Sequence, residues 1–292
     1  MLLPDFAAAG LVPVLVAFGS AGLLGLMPAR RGFRPAEAAP ILGALAGFVA
    51  LGRGWPFSGG LAQHRLAEVQ LIVLVAAVPV SLLRGSARDR RFFAGVAALF
   101  ALAWMLGWDT LTALPVPDLI MAAVLAASAL VMVWRLDRLG EAGILPVVLT
   151  GLVALAIAAL AAIGHARTLA FLALAFALAL GGFALWARPF TGARLGLIGL
   201  ATLAAGLTAL LAGYVHGALT PPWGVLLLAP AFFVDRLARR LPGGTPPKGR
   251  KSKAARLQAD RRRLALLTGL AALPCFAVVA LDAILAGKGL WH

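Results

Sequence analysis

The chain reads as an all-α transmembrane bundle of about ten spans with both termini outside, and three observations predict it. Of 292 residues, 62% are hydrophobic and only 13% charged, with a mean hydropathy of +0.97, far from the mix of a soluble domain. The apolar residues fall in runs long enough to cross a hydrocarbon core, which needs roughly 20 residues per helix. Such runs read as helices because lipid tolerates only segments that satisfy their own backbone hydrogen bonds. Third, the cationic residues alternate between successive loops: 22 of the 26 Lys and Arg fall after odd-numbered spans.

The spans are placed at 6–28, 36–53, 67–84, 92–110, 117–135, 143–164, 168–187, 194–215, 220–236 and 264–286. The first begins MLLPDFAAAG; with Asp5 and no basic n-region it does not read as a cleaved signal. It reads as a span inserted N-terminus outward and held by the following ARRGFR. Gly and Pro interrupt the second span. The fifth follows LPVP, GHAR separates the sixth from the seventh, and RPFTG ends the seventh, all turn chemistry. The ninth is short and starts at Pro221-Pro222.

In the eighth span Gly192, Gly199, Gly206 and Gly213 recur every seven residues, with Gly196, Thr202 and Ala209 on the same face. Small residues so arranged let helices approach closely, a main source of association in lipid. This span is therefore expected at the centre of the bundle, or at a contact with a helix of another subunit.

Orientation follows from the cations, because cytoplasmic loops carry them in excess. The stretch RLARRLPGGTPPKGRKSKAARLQADRRR, 236–263, holds eleven. It divides the chain into spans one to nine (1–235), a basic cytoplasmic loop (236–263), and a tenth span with a short outer tail (264–292). Nucleic acid is not the expected partner of these charges, since no aromatic or base-reading residue interleaves them. Anionic lipid headgroups are, with Arg239, Arg240, Lys251, Lys253, Arg261, Arg262 and Arg263 as the contacts, each worth about 1 kcal/mol near a charged leaflet. Arg outnumbers Lys by 22 to 4, the mark of a GC-rich coding sequence, which points to a bacterial inner membrane.

Catalytic signatures are absent. There is no phosphate loop, no G-x-S-x-G, no HExxH, and no pair of loop aspartates of the kind lipid-phosphate sugar transferases carry. The single cysteine, Cys275, forms no disulfide framework or metal cluster. No cofactor and no metal is expected. Ionisable groups within spans are costly and usually functional, yet only Asp282 lies well inside a run.

The outer side gathers the versatile side chains, and a candidate pocket is placed there: Trp55, His64, Arg65, Glu68, Asp109, Asp118, His165, Arg167, His216 and Asp282. Its focus is the loop RGWPFSGGLAQHRLAE, 53–68. The leading functional reading is binding or transport of a hydrophobic or amphiphilic small molecule. The alternatives are an assembly subunit of a larger membrane complex, and a membrane enzyme using outer His and carboxylate groups as acid and base.

Overall fold

The computed structural model describes residues 2–27, 34–53, 62–83, 86–107, 116–140, 144–187, 195–217, 228–238 and 253–287. Among these the chain is entirely helical. Its α-helices are α1 (Leu2–Gly25), α2 (Ala39–Phe48), α3 (Ala62–Leu83), α4 (Ala87–Leu106), α5 (Val116–Leu139), α6 (Leu145–Ile163), α7 (Arg167–Ala187), α8 (Leu197–Gly217), α9 (Val234–Ala238) and α10 (Lys253–Gly287). A 3-10 turn, Pro35–Ala38, leads into α2, and a π turn, Val49–Arg53, leaves it.

Among the described residues, six helices are long and apolar enough to cross a membrane: Arg65–Leu83, Leu119–Leu139, Leu145–Ile163, Arg167–Ala187, Leu197–Val215 and Arg263–Leu285. This is the architecture of a membrane-embedded protein. Leu11–Gly25 and Pro35–Leu51 are shorter apolar helices. Of the ninth expected span, 220–236, residues 220–227 lie outside the described residues; the rest forms a 3-10 turn, Ala229–Phe233, and the five-residue α9.

α10 extends the tenth span N-terminally through KAARLQADRRR. Its 35 residues measure about 52 Å at 1.5 Å per residue, well beyond a hydrocarbon layer of about 30 Å. Helix therefore begins at Lys253, and the division drawn at 263 falls inside one continuous element.

The helix ends follow local chemistry. Ser86 caps α4, its Oγ accepting from the Asp89 N–H at 3.1 Å, and α4 stops at Gly107, whose φ of 82° only glycine adopts without cost. Pro40 and Pro146 occupy first-turn positions of α2 and α6, where a missing N–H costs nothing. Between α6 and α7 the N–H groups of His165 and Ala166 donate to the carbonyls of Ala162 and Ala161 at 3.2 and 2.8 Å. That is a Schellman motif, with His165 in the left-handed position at φ 59°.

α8 sits at the centre, 83% buried over Leu197–Val215, and packs on α3, α4, α5, α6 and α7. A second tight unit forms where α1 lies against α2 and α7. A Cβ at Gly43 would stand 2.5 Å from the Pro13 carbonyl oxygen, at Gly47 2.6 Å from Pro13 Cγ, and at Gly182 2.5 Å from the Val14 carbonyl oxygen. At Gly43 and Gly182 the neighbour is the backbone of α1, at Gly47 the Pro13 ring, and only glycine permits these approaches. α10 lies at the rim, packed on α6 and α9, with 22% of its membrane window buried.

Candidate functional site

Adjacent glycines on α7 do different work. Gly182 takes the backbone of α1, whereas a Cβ at Gly181 would meet nothing within 4 Å. At 100° per residue the two positions face different surroundings, and Gly181 looks outward into an apolar groove. α1 packs on α7 and α10 packs on α6, and the groove runs between, with a volume of about 450 Å³ lined by Val14, Ile144, Val148, Leu178, Gly181, Gly182, Ala184, Leu185 and Leu264. From Leu178 to Leu185 the α7 wall runs about 10 Å. Leu185 is 59% exposed and Gly181 is exposed too, so the groove opens sideways to the surroundings of the bundle. Its lining offers hydrocarbon and backbone, a surface for an alkyl chain and not for a polar solute.

The groove reaches the end of the bundle where the arginines collect. Trp186 closes α7 there: its ring stacks on Phe183 at 5.9 Å and lies over Gly25 of α1, where a Cβ would come within 2.5 Å of Cζ2. Tryptophan at this level is an ordinary interfacial anchor.

Arginines near the ends of α4 and α5 tie helices together. Arg90 Nε donates to Asp137 Oδ1 at 2.8 Å and Arg91 pairs with Asp137 Oδ2, joining α4 to the end of α5. Arg135, only 2% exposed, donates through Nε and Nη2 to the Phe232 carbonyl at 3.0 and 2.8 Å and pairs with Asp235. Its guanidinium lies 4.6 Å from the Phe233 ring centroid, and that of Arg138 4.2 Å from Trp134, both within cation–π range. These charges are satisfied pairwise and hold the 3-10 turn before α9 onto α5.

Glu37 makes the most specific contact in this layer. Its carboxylate, on a residue 5% exposed, accepts from the backbone N–H groups of Gly196 and Gly199 at 2.6 and 2.9 Å. The first N–H groups of a helix lack intrahelical partners and attract negative charge; Glu37 serves them from another helix, as an N-cap side chain serves its own. A Cβ at Gly196 or Gly199 would approach Glu37 Oε2 within 2.8 or 2.9 Å.

The glycine series of α8 thus receives side chains of the same protein. Gly199 admits the Glu37 carboxylate, Gly206 the Phe176 ring (2.6 Å from a built Cβ) and Gly213 the tips of Leu169 and Met105 (3.3 Å each). Gly192 lies outside the described residues.

Of the candidate outer pocket, Trp55 and Asp109 lie outside the described residues, and so do the side chains of His64, Asp118 and His216, which fall in α3, α5 and α8. Arg65 Nη1 donates to the Met105 carbonyl at 3.3 Å, and Glu68 accepts from Trp104 Nε1 at 3.0 Å, so both clasp the end of α4. His165 and Arg167 are exposed at the α6–α7 turn. Asp282, 5% exposed, lies on the buried face of α10, its Oδ2 without a hydrogen-bond partner among the described residues. Among the described residues no side-chain hydrogen bond or ion pair joins Arg65 and Glu68, the His165–Arg167 turn and Asp282 to one another. Of the lipid-contact set, Arg239, Arg240 and Lys251 lie outside the described residues, and Lys253, Arg261 and Arg262 lie in α10 with side chains outside them; Arg263 is half-buried.

Reasoning from sequence missed the groove and Asp137. The adjacent glycines at 181 and 182 are a signal, since a helix packed closely on one side needs one of them and not both. No family model matches the chain, and no curated protein matches it either.

The Glu37 clasp predicts an unusual sign. Glycine to alanine inside a helix ordinarily adds up to about 1 kcal/mol, but Gly199→Ala displaces the carboxylate and should lower stability. In a Glu37→Ala background, itself costing about 3 kcal/mol for two orphaned donors, the same change should raise it. Unfolding of the four proteins in one detergent measures this cycle; equal effects of Gly199→Ala in both backgrounds would refute the contact.

Proposed function

We propose that this is a ten-span protein of a bacterial inner membrane, both termini outside, that binds one alkyl chain of an amphiphilic molecule in the lateral groove between α1 and α10. The observation that carries the binding site is the empty, lipid-facing Gly181 beside the packed Gly182. A glycine held against a neighbour has a structural reason; one that faces open apolar space leaves room for an occupant. Entry from the side suits a molecule already dissolved in the bilayer, and movement of such a molecule through the bundle is the transport form of the same reading. The arginine layer supports the orientation, since Arg34, Arg90, Arg91, Arg135 and Arg138 gather at one end of the bundle and cationic ends face the cytoplasm.

Two experiments test the two parts. With the buried Cys275 replaced by Ser, an impermeant thiol reagent should label Gly243→Cys only from the cytoplasmic side and His165→Cys only from the outside. Labelling of both from one side would refute the topology.

For the groove, a fatty acid carrying a mid-chain diazirine should crosslink on irradiation to peptides from α6 and α7. Gly181→Phe, which fills the groove, should reduce crosslinking there about tenfold. Gly269→Phe, at an exposed glycine of α10 that also faces open space, should leave it unchanged. Crosslinking indifferent to Gly181→Phe would refute the groove as the site.

A further inference from the structure

An apolar groove in a membrane cannot by itself select an occupant. Lipid tails are as apolar as leucine, so moving a chain from bilayer to groove gains no hydrophobic energy. Discrimination has to come from a polar group where the groove meets the interface, and the cation of α10 next to the groove in sequence is Arg263. It directly precedes Leu264, which lines the groove. Helical side chains lean toward the N-terminus of their helix, so Arg263 extends from the groove's end toward the headgroup level that Trp186 marks.

Arg263 has an unmet need. Its Nε–H is buried with no hydrogen-bond partner among the described residues, a cost of about 1–3 kcal/mol or more for a charged group. The acids nearest in kind have other engagements: Asp137 holds Arg90 and Arg91, Asp235 holds Arg135, and Glu37 holds the start of α8. A guanidinium presents parallel N–H donors that match the oxygens of a phosphodiester, and phospholipids supply phosphodiesters at this depth of a bilayer.

We propose that the groove and Arg263 together form a site for one anionic phospholipid, with an acyl chain along Leu178–Leu185 and the phosphodiester on the Arg263 guanidinium. This rests on the groove as a chain-binding site and adds to it the headgroup class. Net negative charge is favoured over a zwitterion because Arg261 and Arg262 adjoin Arg263 in the chain, so a choline or ethanolamine ammonium is repelled where phosphatidylglycerol is not.

The test uses the full-length protein in nanodiscs of phosphatidylcholine containing a trace of diazirine-chain phosphatidylglycerol or diazirine-chain phosphatidylcholine. Crosslinking to α6 and α7 should favour phosphatidylglycerol by about tenfold, the equivalent of one charged hydrogen bond. Arg263→Gln should abolish that preference while phosphatidylcholine crosslinking persists, Arg263→Lys should retain part of it, and Arg256→Gln, at a cation of the same basic segment outside the named contacts, should leave it intact.

Equal crosslinking of the two lipids in the unsubstituted protein overturns the headgroup site, and needs no variant to fold. A preference lost equally in Arg256→Gln also overturns it, in favour of diffuse attraction to the basic segment. Absence of any crosslink in α6 and α7 with either lipid would instead be failure of the groove itself. Diazirine fatty acid crosslinked in preference to phosphatidylglycerol would assign the guanidinium to a free carboxylate and overturn the phosphodiester.

Discussion

The contact of α7 with the backbone of α1 at Gly182 is the constraint from which the remaining geometry follows. Because Gly182 meets the backbone of Val14 and Gly43 that of Pro13, while Gly47 takes the Pro13 ring, α1, α2 and α7 form a unit closer than larger residues at these glycines would allow. Lipid provides little hydrophobic force between helices, and such packing is what holds them. With α1 drawn onto α7 and α10 seated on α6, a gap remains between the two outer helices. Its floor is apolar because every wall was built to face hydrocarbon.

A second kind of bond closes the arginine-rich end. Arg90, Arg91 and Arg135 are satisfied by Asp137, Asp235 and the Phe232 carbonyl, and Glu37 satisfies the first turn of α8. These contacts join α4 to α5, α5 to the turn before α9, and the 3-10 turn before α2 to α8. Arginines at this end therefore have two physical roles: their number biases orientation, and individual members crosslink helix ends. Arg263 belongs to neither group of contacts, which is why its position beside the groove has chemical meaning.

Much of the fold was legible because apolar run length and breaker residues act locally. The runs at 143–164 and 168–187 match α6 and α7 within a few residues, and GHAR is the Schellman turn between them. The eighth span's glycines marked a helix that lies centrally, yet their partners were not readable: Glu37 is 159 residues from Gly196, and nothing local distinguishes a glycine that admits a carboxylate from one that admits a ring. The groove was illegible for a related reason. It is a gap between α1 and α10, at opposite ends of the chain, and only the tertiary arrangement decides that Gly181 is empty while Gly182 is filled. The chemically varied outer residues drew attention by type, whereas Arg65 and Glu68 turn out to clasp α4.

The central claim is that the groove beside Gly181 holds a lipid chain. An electron cryomicroscopy map of the protein in a lipid nanodisc tests it most directly. The expected map has continuous elongated density along Leu178, Gly181 and Leu185, rising toward Arg263. A well-resolved map in which α1 and α10 close over Gly181, or in which ordered lipid sits elsewhere and the groove holds none, would contradict it.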